Sequence, residues 1–240
     1  MKIRINRFLS MAGLGSRRAA DKLIKDGVVT VNGRKVTTPE ISVSPDDDKV
    51  VCLGNAVVMS FVPTYMVLNK PRGYITSAND EKGRDTVFRL IHTPTRVFPI
   101  GRLDRDSEGL LLFTNDGELA NRLLHPKYKV EKIYFVSVNR KIDKDVVKRF
   151  QHGIYIEKNV KVSAHLRFAK PVDYKSCFMT ISEGKNRQIR KMFIHAGYKV
   201  VQLQRIQFGD IKMGPLKLGA WRHLTNKEIT SLKKATALQD

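Results

Sequence analysis

The chain has 240 residues, of which 42% are hydrophobic and 28% charged, which is the composition of a folded globular protein rather than of a disordered or fibrous one. Lys and Arg number 44 against 23 acidic residues, so the formal net charge is +21 at pH 7. A surface this basic attracts polyanions, and nucleic acid is the leading partner because each neutralised phosphate releases a counterion. Composition alone leaves open a basic protein without such a partner.

Three further properties narrow the cellular setting. No run approaches the roughly 18 apolar residues of a membrane span, and the first residues contain too short an apolar stretch for a secretion signal. The two cysteines, Cys52 and Cys177, lie far apart and show neither disulfide-scaffold nor metal-binding spacing. We therefore expect a cytoplasmic protein without a membrane partner.

Residues 1–62 have the pattern of a small domain with two helices and a hairpin. Apolar residues recur at helical spacing over 5–12, and a second helix is predicted to follow Ser16, a residue type that caps helices. A strand, the Asn-Gly turn at 32–33 and a returning strand come next. The polar side of the second helix is a candidate RNA-binding face. Its cations include Arg17, Arg18 and Lys22.

A second domain is predicted from Pro63 to the end, over 63–240. Strand-like apolar runs alternate there with helical patterns, and several connections are of hairpin length. Strands are predicted at 64–71, 96–100, 109–114, 132–138, 177–182 and 199–209, and helices at 85–92, 117–125, 143–151 and 186–196. The predicted fold class is α+β, with a mixed, largely antiparallel sheet and flanking helices.

Residues 101–117, GRLDRDSEGLLLFTNDG, combine an acidic loop, a buried strand and a turn. Turn and capping chemistry accounts for Asp116. The loop acids Asp104, Asp106 and Glu108 alternate with arginines, so surface ion pairs are one interpretation. A nucleophile or base in an anion-binding cleft is the other, and the spacing does not say which acid would act.

Residues 182–200, SEGKNRQIRKMFIHAGYKV, predict a phosphate site. Asn186 is the expected N-cap of a helix with one apolar face, which includes Ile189, and one cationic face. Free backbone N–H groups at a helix start beside cations bind anions. The polar residues assigned to this site are Lys185, Asn186, Arg187, Arg190 and Lys191.

Two more segments supply candidate RNA contacts. Tyr134 lies among lysines on a predicted strand, where it would either stack on an unpaired base or belong to the core. Lys70 opens the segment KPRGYITS and is a candidate phosphate ligand, although Pro71 and Gly73 first of all predict a turn.

Signatures for other chemistry do not occur in the sequence. The six histidines show no metal-ligand spacing, and there is no nucleotide-binding glycine motif and no nucleophile elbow. We expect neither a metal nor a cofactor.

Three motifs in one order resemble a known family: LNKPRGYITS (68–77), the 101–117 stretch and EGKNRQIRKMF (183–193). They are similar to those of the ribosomal pseudouridine synthases that pair an S4 RNA-binding domain with a catalytic domain. The segment RINRFLSMAGLGSRRAADKLIKDGVVTVNG (4–33) resembles the S4 domain. The resemblance covers essentially the whole chain, and the motif wording is closer to the large-subunit enzymes.

The resemblance implies roles for single residues. The catalytic aspartate of the GRLD motif corresponds to Asp104, and the arginine that helps to displace the target nucleotide corresponds to Arg102. Tyr134 matches the tyrosine that packs on the flipped base, and Ile189 an apolar residue of the base pocket. Arg190 matches the basic residue that pairs with the catalytic aspartate.

The implied reaction isomerises uridine to pseudouridine in ribosomal RNA. The uracil loses its N1–C1′ bond, turns and rejoins the ribose through C5 without a cofactor. Attack of the aspartate on C1′ and removal of a ribose proton to give a glycal are both open routes, and the base that takes the C5 proton is unassigned. The alternative is a non-catalytic S4-type RNA-binding factor of ribosome assembly. In either case we expect a monomer whose partner is ribosomal RNA or an assembling subunit.

Overall fold

The computed structural model describes residues 2–59, 61–78, 80–169 and 174–238. The chain divides into two units, Met1–Pro63 and Thr64–Asp240. Helices and a mixed, mostly antiparallel sheet make up the described part, which confirms the predicted α+β class. No helix among the described residues is long and apolar enough to cross a membrane.

The first unit contains two short helices and two small sheets. In chain order its elements are β1 (Ile3–Arg4), α1 (Ile5–Met11), α2 (Arg17–Lys25), β2 (Val29–Val31), β3 (Arg34–Val36), β4 (Ser42–Val43), β5 (Val50–Cys52) and β6 (Asn55–Ala56). One sheet has the order β3-β2-β5-β6 with antiparallel neighbours, and β1 pairs with β4.

Local chemistry explains why these elements begin and turn where they do. The Ser16 side chain accepts a hydrogen bond from the Ala19 backbone N–H at 3.1 Å, so it caps α2 as predicted. Asn32 and Gly33 both have positive φ, 51° and 79°, as a type I′ turn between β2 and β3 requires.

The second unit is built on one large sheet. In chain order its elements are β7 (Tyr65–Lys70), β8 (Phe98–Pro99), β9 (Glu108–Thr114), α3 (Gly117–Leu124), β10 (Lys132–Val138), α4 (Lys144–His152), β11 (Ile154–Glu157), β12 (Val160–Val162), β13 (His165–Phe168), β14 (Ser176–Ile181), α5 (Gln188–His195), β15 (Val200–Phe208), β16 (Ile211–Lys212), β17 (Trp221–His223) and α6 (Asn226–Ala235). Short 3-10 turns occur at Val87–Arg89 and Pro126–Tyr128.

The sheet has the order β13-β14-β10-β15-β9-β7-β17, with β16 beside β15 and β8 beside β9. Every pairing of these strands is antiparallel except that of β15 with β9, which is parallel. This parallel contact joins Gly109, at the start of β9, to Arg205 in β15. The acidic loop before β9 is thereby brought to the centre of the sheet.

Strand β9 is buried on both faces. Leu110 and Leu112 belong to one hydrophobic cluster, and Leu111 and Phe113 to the other. A strand covered on both sides has a continuous apolar run instead of alternation, which is why LLLF indicated burial. The cap predicted after it is also present, because the Asp116 side chain accepts hydrogen bonds from two backbone N–H groups of α3.

Two helix predictions need correction. Over 85–92 the structure has one 3-10 turn, because the Val87 N–H donates to the Ile75 carbonyl and Thr86 bridges to Ile75. Helix α5 begins at Gln188, since Arg187 occupies the N-cap in left-handed conformation with φ 51° and no side-chain cap. Asn186 is therefore not the cap.

Candidate active site

Asp104 lies in the loop between β8 and β9, and about a third of its side chain is exposed, 35%. The backbone around it is tied to the segment that follows β7. The Thr76 hydroxyl donates to the Leu103 carbonyl at 2.8 Å, and the Gly73 N–H donates to the Arg105 carbonyl at 2.8 Å. These bonds hold both neighbours of Asp104.

The buried Lys70 ammonium fixes the same loop from beneath. Lys70 is fully buried, and its Nζ donates to the carbonyl oxygens of Ser107 at 2.7 Å, Pro71 at 3.0 Å and Asp104 at 3.1 Å. Burial lowers the Lys70 pKa to about 8, although the acids of the loop oppose that shift. Three carbonyls satisfy all three donors of the ammonium ion.

Two arginines of the α5 region face the loop carboxylates. Arg187 Nη1 lies 3.6 Å from Asp104 Oδ2 and 3.3 Å from Asp106 Oδ1. Arg190 Nη2 lies 3.2 Å from Asp106 Oδ2 and also donates to the Asp106 carbonyl oxygen at 3.0 Å. Arg187 thus serves both acids, whereas Arg190 holds Asp106.

These contacts change the ionisation of Asp106 and Arg190. Burial opposes ionisation of Asp106, but the hydrogen bond from Arg187 and the charges of both arginines outweigh it and lower the Asp106 pKa. Burial also lowers the Arg190 pKa, against the opposing effect of the carboxylates. Asp106 is therefore held as a carboxylate that anchors the loop.

A cavity of about 380 Å³ opens beside Asp104. Its wall is shared by the acidic loop, the neighbouring strands β14, β10 and β15, and the start of α5. The lining includes Arg102, Asp104, Lys132, Tyr134, Ile181, Lys185, Asn186, Arg187, Ile189, Leu203, Arg205 and Phe208. Its volume is in the range of small-molecule sites.

The inner end of the cavity is aromatic and cationic. Tyr134 is only 8% exposed, and its hydroxyl accepts a hydrogen bond from Arg205 Nη1 at 3.4 Å. The Arg205 guanidinium lies over the Phe208 ring, 5.4 Å from the ring centre, and Lys132 Nζ lies 5.3 Å from the same centre. An aromatic ring beside a carboxylate, with cations near, is suited to a flat polar ring such as a nucleobase.

In the first unit, the cations of α2 form an exposed face. Arg17, Arg18 and Lys22 line its solvent side and make no ion pair within the described residues. Their contact with RNA phosphates stays a prediction.

A family model described as RNA pseudouridylate synthase matches residues 64–195, and an S4 domain model matches residues 3–49. The chain belongs to the RNA pseudouridylate synthase family. It is an isomerase of the pseudouridine synthase type with an S4 RNA-binding domain.

Whole-length comparisons agree with this family. An uncharacterized RNA pseudouridine synthase of Aquifex aeolicus (strain VF5) is 42% identical over 100% of this chain and 97% of its own. The ribosomal large subunit pseudouridine synthase B of Bacillus subtilis (strain 168) is 38% identical over 96% and 95%. A crystal structure of a pseudouridylate synthase matches with a TM-score of 0.70 and 29% identity, covering 96% of this chain and 99% of that one.

The synthase brings together most of the residues expected at its site. Asp104, Tyr134, Ile189 and Arg102 all line the cavity, as do Lys185, Asn186 and Arg187 from the phosphate-site prediction. Arg102 is exposed at the mouth and makes no hydrogen bond or ion pair with described residues.

Two expectations about cations are wrong. Lys70 is fully buried under the loop, so it does not bind phosphate. Arg190 is 8% exposed instead of lying on a solvated face, and its ion pair is with Asp106, whereas Asp104 pairs with Arg187. Lys191 is ion-paired to Glu157, and its role in RNA binding stays a prediction.

Sequence reasoning did not assign Lys132, Arg205 or Phe208 to the site. These residues meet because Lys132 pairs with Phe208, and Tyr134 with Arg205, across β10 and β15. Lys132 and Tyr134 stand two residues apart on one strand, so they share a face. That spacing was a signal for Lys132, but only the strand register reveals Arg205 and Phe208.

Among the described residues no group of three or more His, Cys, Asp or Glu could hold a metal ion.

Proposed function

We propose that this isomerase converts a specific uridine of ribosomal RNA, in the large subunit, to pseudouridine, with Asp104 as its catalytic carboxylate. The observation that carries the proposal is the position of Asp104. It lies in the wall of a cavity that the buried Tyr134 also lines, on a loop held by Lys70 and Arg190.

Asp104 acts as a carboxylate in either route, by attack on C1′ or by removal of a ribose proton. The Arg187 guanidinium, 3.6 Å from Asp104 Oδ2, orients this carboxyl group without closing it off from solvent. Its neighbour Asp106 serves as an anchor, because its side chain and carbonyl are both engaged by arginines. This division of labour distinguishes Asp104 from Asp106.

The target uridine has to leave the RNA stack to reach the cavity. Extrusion costs a few kcal/mol and is easiest in loops and bulges. Tyr134 offers a ring on which the extruded uracil stacks, and Ile189 lines the cavity beside it. Arg102, exposed and unpaired with any described residue at the mouth, is placed to fill the gap that the nucleotide leaves.

The choice of ribosomal RNA rests on charge and on the relatives. The exposed face of α2 offers a second RNA-binding surface in the first unit, through Arg17, Arg18 and Lys22. A net charge of +21 suits a large folded RNA. The Bacillus subtilis relative is named as a large-subunit enzyme. We expect the protein to act as a cytoplasmic monomer on naked ribosomal RNA or on assembling subunits.

The direct test is pseudouridine mapping of both ribosomal RNAs after incubation with the purified protein. Transcripts and salt-stripped subunits of each kind serve as substrates. One new pseudouridine in large-subunit RNA is the expected result. Modification of small-subunit RNA alone would overturn the choice of subunit, and modification of neither RNA in either form would overturn the ribosomal assignment.

A further inference from the structure

Two buried cations lie side by side in the cavity without a carboxylate partner. Lys132 is 6% exposed and Arg205 is 3% exposed. Within the described part of the chain, no carboxylate oxygen lies within 4.0 Å of either side chain. Glu183 attracts Lys132 only from a greater distance.

The hydrogen bonds of the two cations are incomplete. Lys132 Nζ has one acceptor among the described residues, the Ser182 carbonyl oxygen at 3.3 Å. Arg205 donates through Nε to the Leu110 carbonyl at 2.6 Å and through Nη1 to the Tyr134 hydroxyl at 3.4 Å. Its Nη2 is buried and has no partner in the described part of the chain. Both side chains line the cavity, and Lys132 Nζ keeps donors that no described residue uses.

Burial of these two like charges destabilises the protein when no ligand is bound. A buried charge without a counterion is among the least favourable groups in a protein interior, and two of the same sign repel each other. Burial together with the charge of Arg205 lowers the Lys132 pKa to about 8. An acceptor that carries negative charge would relieve both the missing hydrogen bonds and the repulsion.

Three other cations near Asp104 are already occupied. Arg187 and Arg190 pair with loop carboxylates, and Lys70 is saturated by three carbonyls. Lys132 and Arg205 differ from them in facing the cavity beside the ring of Tyr134 with donors to spare.

We propose that Lys132 and Arg205 form a cationic subsite that binds the carbonyl oxygens of the extruded uracil and stabilises the uracil anion during the reaction. The inference rests on the proposed function and adds to it a group that acts on the leaving base. It makes Lys132 and Arg205 catalytic residues alongside Asp104.

The electron balance of the reaction calls for such a group. When the N1–C1′ bond breaks, its electron pair stays with the uracil, whichever route Asp104 follows, and the negative charge spreads over the ring nitrogens and the carbonyl oxygens. When the turned base rejoins the ribose, an electron pair of the uracil anion forms the C5–C1′ bond, and Asp104 either leaves C1′ as a carboxylate or returns the ribose proton to the glycal. The C5 proton then leaves to a base. Fixed donors aimed at charge that develops in the transition state are the strongest form of electrostatic catalysis.

Leaving-group dependence tests the subsite. Single-turnover rates of N1–C1′ bond cleavage are compared for RNAs with uridine or 5-fluorouridine at the target position, because fluorine makes the uracil anion easier to form and blocks only the later proton loss from C5. Lys132→Met is expected to slow the uridine substrate by about 10²-fold, the usual effect of one lost charge-stabilising donor, and the fluorinated one about tenfold less. Lys212→Met, which removes the same charge from an exposed position, is the control. Equal slowing of both substrates would overturn the proposal.

Ligand binding provides a readout without catalysis. Barbiturate, a uracil analogue that is an anion at neutral pH, is titrated against the wild type, Lys132→Met and the charge-preserving Lys132→Arg. We expect the wild type and Lys132→Arg to bind it at least tenfold more tightly than Lys132→Met, and more tightly than they bind uncharged uracil. Equal affinities of the three proteins for barbiturate would refute the proposed cationic subsite. A wild type that modifies no RNA but shows this pattern would instead refute the proposed function and leave the subsite standing.

Discussion

The Lys70 ammonium donates a hydrogen bond to the backbone carbonyl oxygen of Asp104 at 3.1 Å, from a position that solvent does not reach. The two residues are 34 positions apart in the sequence, and the hydrogen bond helps to fix the position of the acidic loop relative to the sheet. A fully buried cation thus acts on the backbone of the candidate catalytic residue and not on RNA.

Lys70→Met should therefore lower the reaction rate, which depends on the position of the acidic loop, more than the affinity for RNA. Methionine fills the space but leaves three carbonyl oxygens without their donor, which costs about 2–3 kcal/mol of unfolding free energy. We expect a drop in single-turnover rate with RNA affinity changed less than threefold. Urea unfolding and filter binding measure these quantities. A large loss of affinity with an unchanged rate would contradict the positioning role.

Substitutions of Arg187 and Arg190 should have different effects, because Arg187 directs the Asp104 side chain by its charge whereas Arg190 anchors the loop through Asp106. Arg187 is 44% exposed, so Arg187→Ala should change stability by less than about 1 kcal/mol. It should slow the reaction about tenfold, because Asp104 loses the ion pair that directs it. Arg190→Met removes a buried donor to the Asp106 carbonyl and should cost about 2 kcal/mol of stability. Urea unfolding of both variants decides, and the reverse order of stabilities would refute the assignment.

Much of this arrangement followed from local sequence signals. The buried strand β9, the Ser16 and Asp116 caps and the Asn32-Gly33 turn were predictable because each depends on a few neighbouring residues. The burial of Lys70 and Arg190 was not, since both contact the acidic loop across the fold and nothing in their local pattern differs from that of an exposed cation. Arg205 was likewise revealed only by strand register.

The exposed face of α2 should govern the salt dependence of RNA binding. Replacing both Arg17 and Arg18 by Ala should reduce the slope of log affinity against log salt by about 1–2, roughly one per lost phosphate contact. The far-ultraviolet circular dichroism should stay unchanged, because both side chains are exposed. Binding titrations at several salt concentrations measure the slope. An unaltered slope would remove this face from the RNA interface.

Glu228 should account for part of the acid sensitivity of the second unit. It accepts two hydrogen bonds from Arg222, at 2.7 and 2.8 Å, and closes the capping box of α6 with Thr225. The hydrogen bond from Arg222 is the main cause that lowers the Glu228 pKa to about 2. A lowered folded-state pKa stabilises the protein above the ordinary Glu value of about 4.3, and this contribution is lost as the pH falls towards about 2.

Glu228→Gln should therefore flatten the stability profile between these two pH values. The expected loss at pH 7 is of order 1 kcal/mol after allowance for solvent screening, with little difference from the wild type near pH 2. Thermal unfolding across this range measures it. A constant difference at all pH values would show that packing, and not charge, is responsible.

The most direct measurement of the central claim is tritium release from C5-labelled uridine in ribosomal RNA by the wild type, Asp104→Asn and Asp106→Asn. Both substitutions remove one negative charge from the same loop, and the amide introduced by Asp106→Asn keeps an acceptor oxygen for the arginines, so the pair is matched. We predict release by the wild type, a reduced rate for Asp106→Asn, and a loss of at least about 10³-fold for Asp104→Asn, with RNA binding retained in all three. Release by Asp104→Asn at the wild-type rate, or its loss in Asp106→Asn alone, would contradict the account.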